Sequence, residues 1–100
     1  MVERLKPLDP EKVILFGSYA YGNPKKDSNI DLYVVTKDEF IPQSYSERRE
    51  LVRKVSRALL DIRMKIPIGL IVHTKPMNLK FVSLNSSFSR EILEKGINLL

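Results

Sequence analysis

Cysteine is absent from the 100 residues, which excludes a disulfide framework, thiol catalysis and Cys-ligated zinc. A single histidine, His73, excludes a multi-histidine metal site and any mechanism that uses two imidazoles. No apolar run approaches the roughly 18 residues of a membrane helix. The opening MVERLKPLDP is too polar for a signal peptide. The expectation is therefore a cytoplasmic protein with no membrane association. Repeats, low-complexity tracts and linkers are lacking as well. Chemistry must rest on carboxylates, hydroxyls, amides and backbone groups.

What is present suits a folded domain. Hydrophobic residues make up 43% and charged residues 29%. One domain over residues 1–100 is expected, because two would each have too little core. The net charge is +5. Most of it falls in residues 43–65, where seven basic side chains face three acidic ones.

The chain reads as alternating strands and helices. Asp9-Pro10 suggests the start of a helix or turn, with Asp9 as cap. Val13-Ile14-Leu15-Phe16 reads as a buried strand and Ser18–Tyr21 as a short helix ended by Gly22-Asn23-Pro24. Ile30–Thr36 reads as a second strand, with Ile30, Leu32 and Val34 on one face and Asp31, Tyr33 and Val35 on the other. Ser44 and Glu47 form a capping box opening a helix over 44–63. Its apolar stripe is Leu51, Val52, Val55, Ala58, Leu59 and Ile62. A third strand is expected over Ile66–His73, with Pro67 marking an edge or a strand start. Helices over 76–84 and 87–95 follow, the second capped by Ser86 or Ser87 and ended by Gly96 in the left-handed region. The fold class is α/β: a small mixed sheet with helices packed on it.

The stretch that carries chemistry runs from Gly17 to Asp31. A Gly-Ser pair directly after a buried strand opens a turn whose amides point outward, where negative charge is favoured. Gly17 lets a phosphate approach the backbone, and Ser18 adds a hydroxyl donor. Asn29 and Asp31 stand at i and i+2 where the next strand begins, so both project from one face. Oxygen ligands so spaced suit Mg²⁺, which takes few protein ligands plus substrate phosphates. Phosphate cradle and Mg²⁺ together are the minimum for attack on a nucleotide α-phosphate.

Residues 16–35, FGSYAYGNPKKDSNIDLYVV, resemble the signature of the minimal nucleotidyltransferases of the DNA polymerase β superfamily. That signature is a strand ending in Gly-Ser, a short helix and Gly, then Ser-Asp-x-Asp-Leu opening the next strand. The long capped helix, the third strand and the ending Glu94-Lys95-Gly96-Ile97 extend the resemblance over nearly the whole chain. It implies a nucleotidyltransferase fold, a nucleoside triphosphate such as ATP as substrate, and Mg²⁺ or Mn²⁺. It implies transfer of a nucleoside monophosphate to a hydroxyl acceptor. It also implies a separately encoded helical partner of the HEPN type, in a toxin–antitoxin-like module.

The resemblance further implies three metal-binding acids, and here the chain departs from the pattern. Asn29 stands for the first, Asp31 is the second, and Gly69 occupies the expected place of the third, with Val72 and Leu70 as alternatives. No acid occurs between Asp61 and Glu91. Asp27, Lys25, Lys26 and His73 are accessory candidates, Asp27 as a substitute acid, the lysines near phosphate, and His73 on the strand face of Gly69. Tyr19, Tyr21 and Tyr33 lie near the motif, where one could stack on a base or simply pack over the sheet. Three functions follow: monophosphate transfer with a weakened metal site; a catalytically degenerate nucleotide- or partner-binding subunit; and a nucleic-acid-binding module using the basic helix 44–63. A homodimer or hetero-complex is expected, because a three-stranded sheet leaves an edge exposed.

Overall fold

The computed structural model describes residues 2–22 and 28–100. A short helix α1 (Val2–Leu5) and a 3₁₀ turn (Lys6–Leu8) lead into β1 (Lys12–Phe16). Then come β2 (Ile30–Val35), α2 (Tyr45–Ala58), α3 (Leu60–Arg63), β3 (Ile68–His73), α4 (Lys75–Leu84) and α5 (Ser87–Arg90). A π-helical turn (Glu91–Lys95) and β4 (Ile97–Asn98) complete the chain.

The sheet has four strands in the order β3-β2-β1-β4. β2 runs parallel to β3, and β1 is antiparallel to both β2 and β4. The mixed sheet is as expected, and the fourth strand is new. Its two residues carry no alternating pattern, so only pairing with Ile14 and Leu15 reveals it. It covers part of the β1 edge, and β3 remains an edge strand, with Pro67 just before it. The Pro67 carbonyl accepts the Ile30 amide at 3.0 Å, which a proline can do without an N–H of its own.

Alternation along β2 divides the interior into two layers. Ile30, Leu32 and Val34 pack with Val13, Val72, the helical residues Leu5, Leu51 and Val55, and Leu59 just after α2. On the opposite face Tyr33 and Val35 pack with Ile14, Phe16 and Ile92, and Phe81 of α4 closes over them. Helices thus cover both faces, and Asp31 belongs to the second face because it alternates with Ile30 and Leu32.

Several expectations are corrected. Asp9 does not open a helix; it ends the 3₁₀ turn in the left-handed region (φ 49°), which Asp tolerates better than most residues. Residues 17–22 form a turn rather than an assigned helix. The long helix stops at Ala58, and Leu59, fully buried, separates it from α3. Val52 stays exposed, so the stripe is narrower than its sequence suggests. Ser44 caps α2 by accepting the Glu47 amide at 3.2 Å. The Glu47 carboxylate reaches back to the amide of Gln43 at 2.8 Å, one residue beyond the Ser44 amide of a capping box. Ser86 caps α5 by accepting the Ser89 amide. Gly96 is extended (φ −70°, ψ 157°), not left-handed. It is glycine because a Cβ there would stand 2.3 Å from the Ile92 carbonyl oxygen and 2.5 Å from Ile14 Cγ2, where the π turn lies against β1. Tyr33 is fully buried and packs over the sheet, where no base can stack on it: its hydroxyl donates to Asn78 Oδ1 at 2.7 Å and meets His73 Nδ1 at 2.9 Å.

Candidate functional site

The turn after β1 and the start of β2 converge. Antiparallel pairing sets Phe16 opposite Asp31, so Gly17 follows immediately beside the carboxylate. Parallel pairing sets Gly69 opposite Asp31 from the other side. The two glycines make the space that the carboxylate fills. A Cβ on Gly17 would lie 2.3 Å from Asp31 Oδ2, and one on Gly69 would lie 2.8 Å from Oδ1. Gly17 also has φ +79°, a conformation that L side chains rarely adopt. Two independent constraints, backbone and contact, therefore require glycine at 17.

The Gly17 carbonyl accepts the amides of Ala20 (3.0 Å) and Tyr21 (3.2 Å), which closes one helical turn. In such a turn the amides of Ser18 and Tyr19 have no partner within it. Ser18 is half-buried, beside Gly17 at the entry of the turn. Asn29 is exposed, one residue ahead of β2. Burial raises the Asp31 carboxyl above its usual range. The site therefore holds a partly desolvated anion with backbone approach on both flanks.

His73 is not brought here. It shares the face of Gly69 but stands at the far end of β3, opposite Val35. Four residues at about 3.3 Å each put it roughly 13 Å along the strand. Its Nδ1 is engaged with Tyr33, and its ring meets Phe81 edge-on at 5.3 Å. Lys25, Lys26 and Asp27 lie outside the described residues.

Tyr21, one of the tyrosines near the motif, is exposed at the end of the turn that closes on the Gly17 carbonyl. Partial burial, and secondarily the Glu91 carboxylate, raise the pKa of its phenol. Glu91 opens the π turn after α5, and Phe88 of α5 meets Phe16 edge-on at 5.9 Å. A local signal for Glu91 existed: it is the first acid after a stretch of chain that has none. No spacing rule connects it to Gly17, because the connection runs through the sheet.

The donor set can be tested against a resident metal pair. Among the described residues, no group of three or more His, Cys, Asp or Glu side chains is placed to hold an ion. Asp31 is a single carboxylate, Asn29 brings an amide without charge, and Gly69 brings nothing. Two divalent ions carry far more charge than one carboxylate offsets, so these residues do not fit a protein-held metal pair. A Mg²⁺ that arrives on a triphosphate is part of the substrate and needs fewer protein ligands.

Comparison with known proteins bears on the family and the fold. Residues 3–100 match the model of the family described as polymerase beta, nucleotidyltransferase. The chain is 27% identical over 82 residues to a Methanocaldococcus jannaschii protein provisionally named a protein adenylyltransferase, covering 82% of this chain and 78% of that one. A toxin–antitoxin crystal structure with AMP-PNP shares the fold at a TM-score of 0.60 and 22% identity, over 99% of this chain and 68% of that chain. A mutant of the toxin–antitoxin MntA–HpeT shares it at 0.53 and 19% identity, again over 99% and 68%. Among the described residues, no helix is long and apolar enough to cross a membrane.

Proposed function

The chain belongs to the polymerase beta nucleotidyltransferase family, and we propose that it takes a nucleoside triphosphate, ATP in the first instance, with its Mg²⁺ at the Gly17–Asp31–Gly69 cradle and transfers the monophosphate to a hydroxyl on a partner protein. The observation that supports this reading is the close packing of the Asp31 carboxylate against Gly17. Gly17 and Ser18 hold phosphate through the turn backbone and the Ser18 hydroxyl. Asp31 faces the cation that the triphosphate carries, and Asn29 is a weak second ligand. In the transfer, the acceptor oxygen bonds to the α-phosphorus, the bond from that phosphorus to the bridging oxygen breaks so that pyrophosphate leaves, and the hydroxyl proton passes to water. A partner of the HEPN type is in keeping with the toxin–antitoxin complexes that share this fold.

A second reading has an observation of its own. With one carboxylate where the family pattern has three, turnover is weak or lost, and the chain serves as a nucleotide- and partner-binding subunit. The basic face of α2 is less favoured as a nucleic-acid surface, since Glu50 pairs with Arg53 on it and Arg49 lies over the Tyr45 ring.

The experiment incubates the full chain and its co-purified partner with α-labelled ATP and Mg²⁺ or Mn²⁺. Label on the partner that disappears with Asp31→Ala supports transfer. ATP binding without label, with transfer appearing in the Asn29→Asp/Gly69→Asp double variant, supports the subunit. Neither ATP binding nor label in any form overturns both readings.

A further inference from the structure

Aromatic rings line the face of the sheet that carries Asp31. Phe16 is the direct antiparallel partner of Asp31, and partners on one face stand about 5 Å apart at Cβ. Phe88 of α5 meets Phe16 edge-on at 5.9 Å and Phe81 edge-on at 6.0 Å. The deeper rings are covered: Tyr33 is fully buried and stacks on Phe81 at 5.2 Å. Phe88 differs from them. It is 44% exposed, and both of its ring contacts are edge-type, so no ring among the described residues stacks on it.

Phe88 lines a cavity of about 530 Å³, within the range of small-ligand sites. The same wall carries Arg90, Glu91, Glu94 and Lys95. Arg90, Glu94 and Lys95 form no ion pair with the described residues. Two acids and two bases cancel, so the cavity does not select a polyanion. It offers an apolar ring to a flat neutral group, and carboxylates that accept hydrogen bonds from that group's edge.

We propose that this cavity is the base subsite of the nucleotide held at the cradle: an amino-bearing purine stacks on Phe88, and Glu91 or Glu94 accepts a hydrogen bond from its amine. This rests on the reading of the cradle as a polyphosphate site. The placement fits, because the ring packs on the residue paired with Asp31, and a ribose is what separates a phosphate from its base. Uracil has carbonyl oxygens where the amine would be, and these meet the carboxylates as acceptor against acceptor. A purine also covers more of the ring than a pyrimidine does.

The test titrates the full chain calorimetrically in Mg²⁺ with ATP, UTP and inorganic tripolyphosphate, the last of which probes the cradle alone. Phe88→Ala weakens ATP about tenfold and leaves tripolyphosphate unchanged, the scale of one stacked base. Glu91→Gln/Glu94→Gln narrows the preference for ATP over UTP, because an amide can turn a donor toward the uracil carbonyls. A second variant covers the loss of packing on Phe16 and Phe81. The chain has no tryptophan, so Phe88→Trp carries a single reporter, whose emission is quenched by ATP and not by tripolyphosphate. If Phe88→Ala weakens ATP and tripolyphosphate equally, or ATP binds Phe88→Trp without changing its emission, the cradle stands and the base subsite is wrong. If tripolyphosphate binds no form of the chain, the polyphosphate reading falls and takes the base subsite with it.

Discussion

The Asp31 carboxylate rests on the bare Cα of Gly17, where a Cβ would come within 2.3 Å of Oδ2. Gly17→Ala therefore forces two changes at once: a left-handed backbone costs about 1–2 kcal/mol with a Cβ present, and the carboxylate must swing away. We expect a loss of about 2–3 kcal/mol in urea unfolding together with loss of nucleotide binding. A variant that keeps both wild-type stability and binding contradicts the packing described.

Asp31 itself opposes the fold at neutral pH. Burial raises its carboxyl in the native state, so its contribution to stability is fully present below the unfolded pKa and is lost as pH rises through the folded one. At pH 7 the ionised group is a cost. Asp31→Asn should raise the melting temperature at pH 7, and the gain should vanish in acid, while ATP-dependent stabilisation disappears. Thermal scans at pH 7 and pH 4 with and without Mg·ATP decide this. A lower melting temperature at pH 7 would show that the carboxylate is supported by contacts it is not seen to make.

Restoring acids at the two altered positions should convert the cradle into a cation site. An aspartate at 69 brings its Cβ to 2.8 Å from Asp31 Oδ1, so the Asp31 side chain, a free end rather than backbone, has to shift. In Asn29→Asp/Gly69→Asp, like charges lower stability in EDTA, and added Mn²⁺ or Mg²⁺ raises the melting temperature by several degrees. Wild type responds much less to the same ions. Equal responses would mean that the substitutions at 29 and 69 do not explain the poor donor set.

The polar group under α4 predicts a pH dependence of its own. His73 has its pKa lowered by burial and, secondarily, by the charge of Arg48. Its neutral form is the native one, so stability is intact above the unfolded value of about 6.5 and is lost as pH falls through the folded pKa. Because His73 is the sole histidine, the slope of unfolding free energy between pH 7.5 and 5.5 should flatten in His73→Gln. Tyr33→Phe removes the hydroxyl shared by Asn78 and His73 and should cost about 1–3 kcal/mol at pH 7.5. A pH slope unchanged in His73→Gln assigns the titration elsewhere.

Local pattern alone determined a good deal. The two-residue period of Ile30–Val35 already separates the face that packs on α2 from the face that carries Asp31, since side chains must alternate on a strand. Ser44 marks the start of α2, and Ser86 or Ser87 that of α5, of which the structure chooses Ser86, since a cap is decided within one turn of chain. The run from Gly17 to Asp31 held the signature, but not the fact that the group packed closest on Gly17 is the Asp31 carboxylate. Tertiary structure decided what no window of sequence contains. Gly96 is required by the Ile92 carbonyl and Ile14, not by its own turn. β4 exists only as a partner of β1. Gly69 meets Asp31 through strand register, which also carries His73 away from it. Phe88 meets Phe16 across some seventy residues, which docks α5 on the strand end from which the Gly17 turn departs. Local periodicity encodes which side of an element is apolar; which elements become neighbours is settled by burying those sides together.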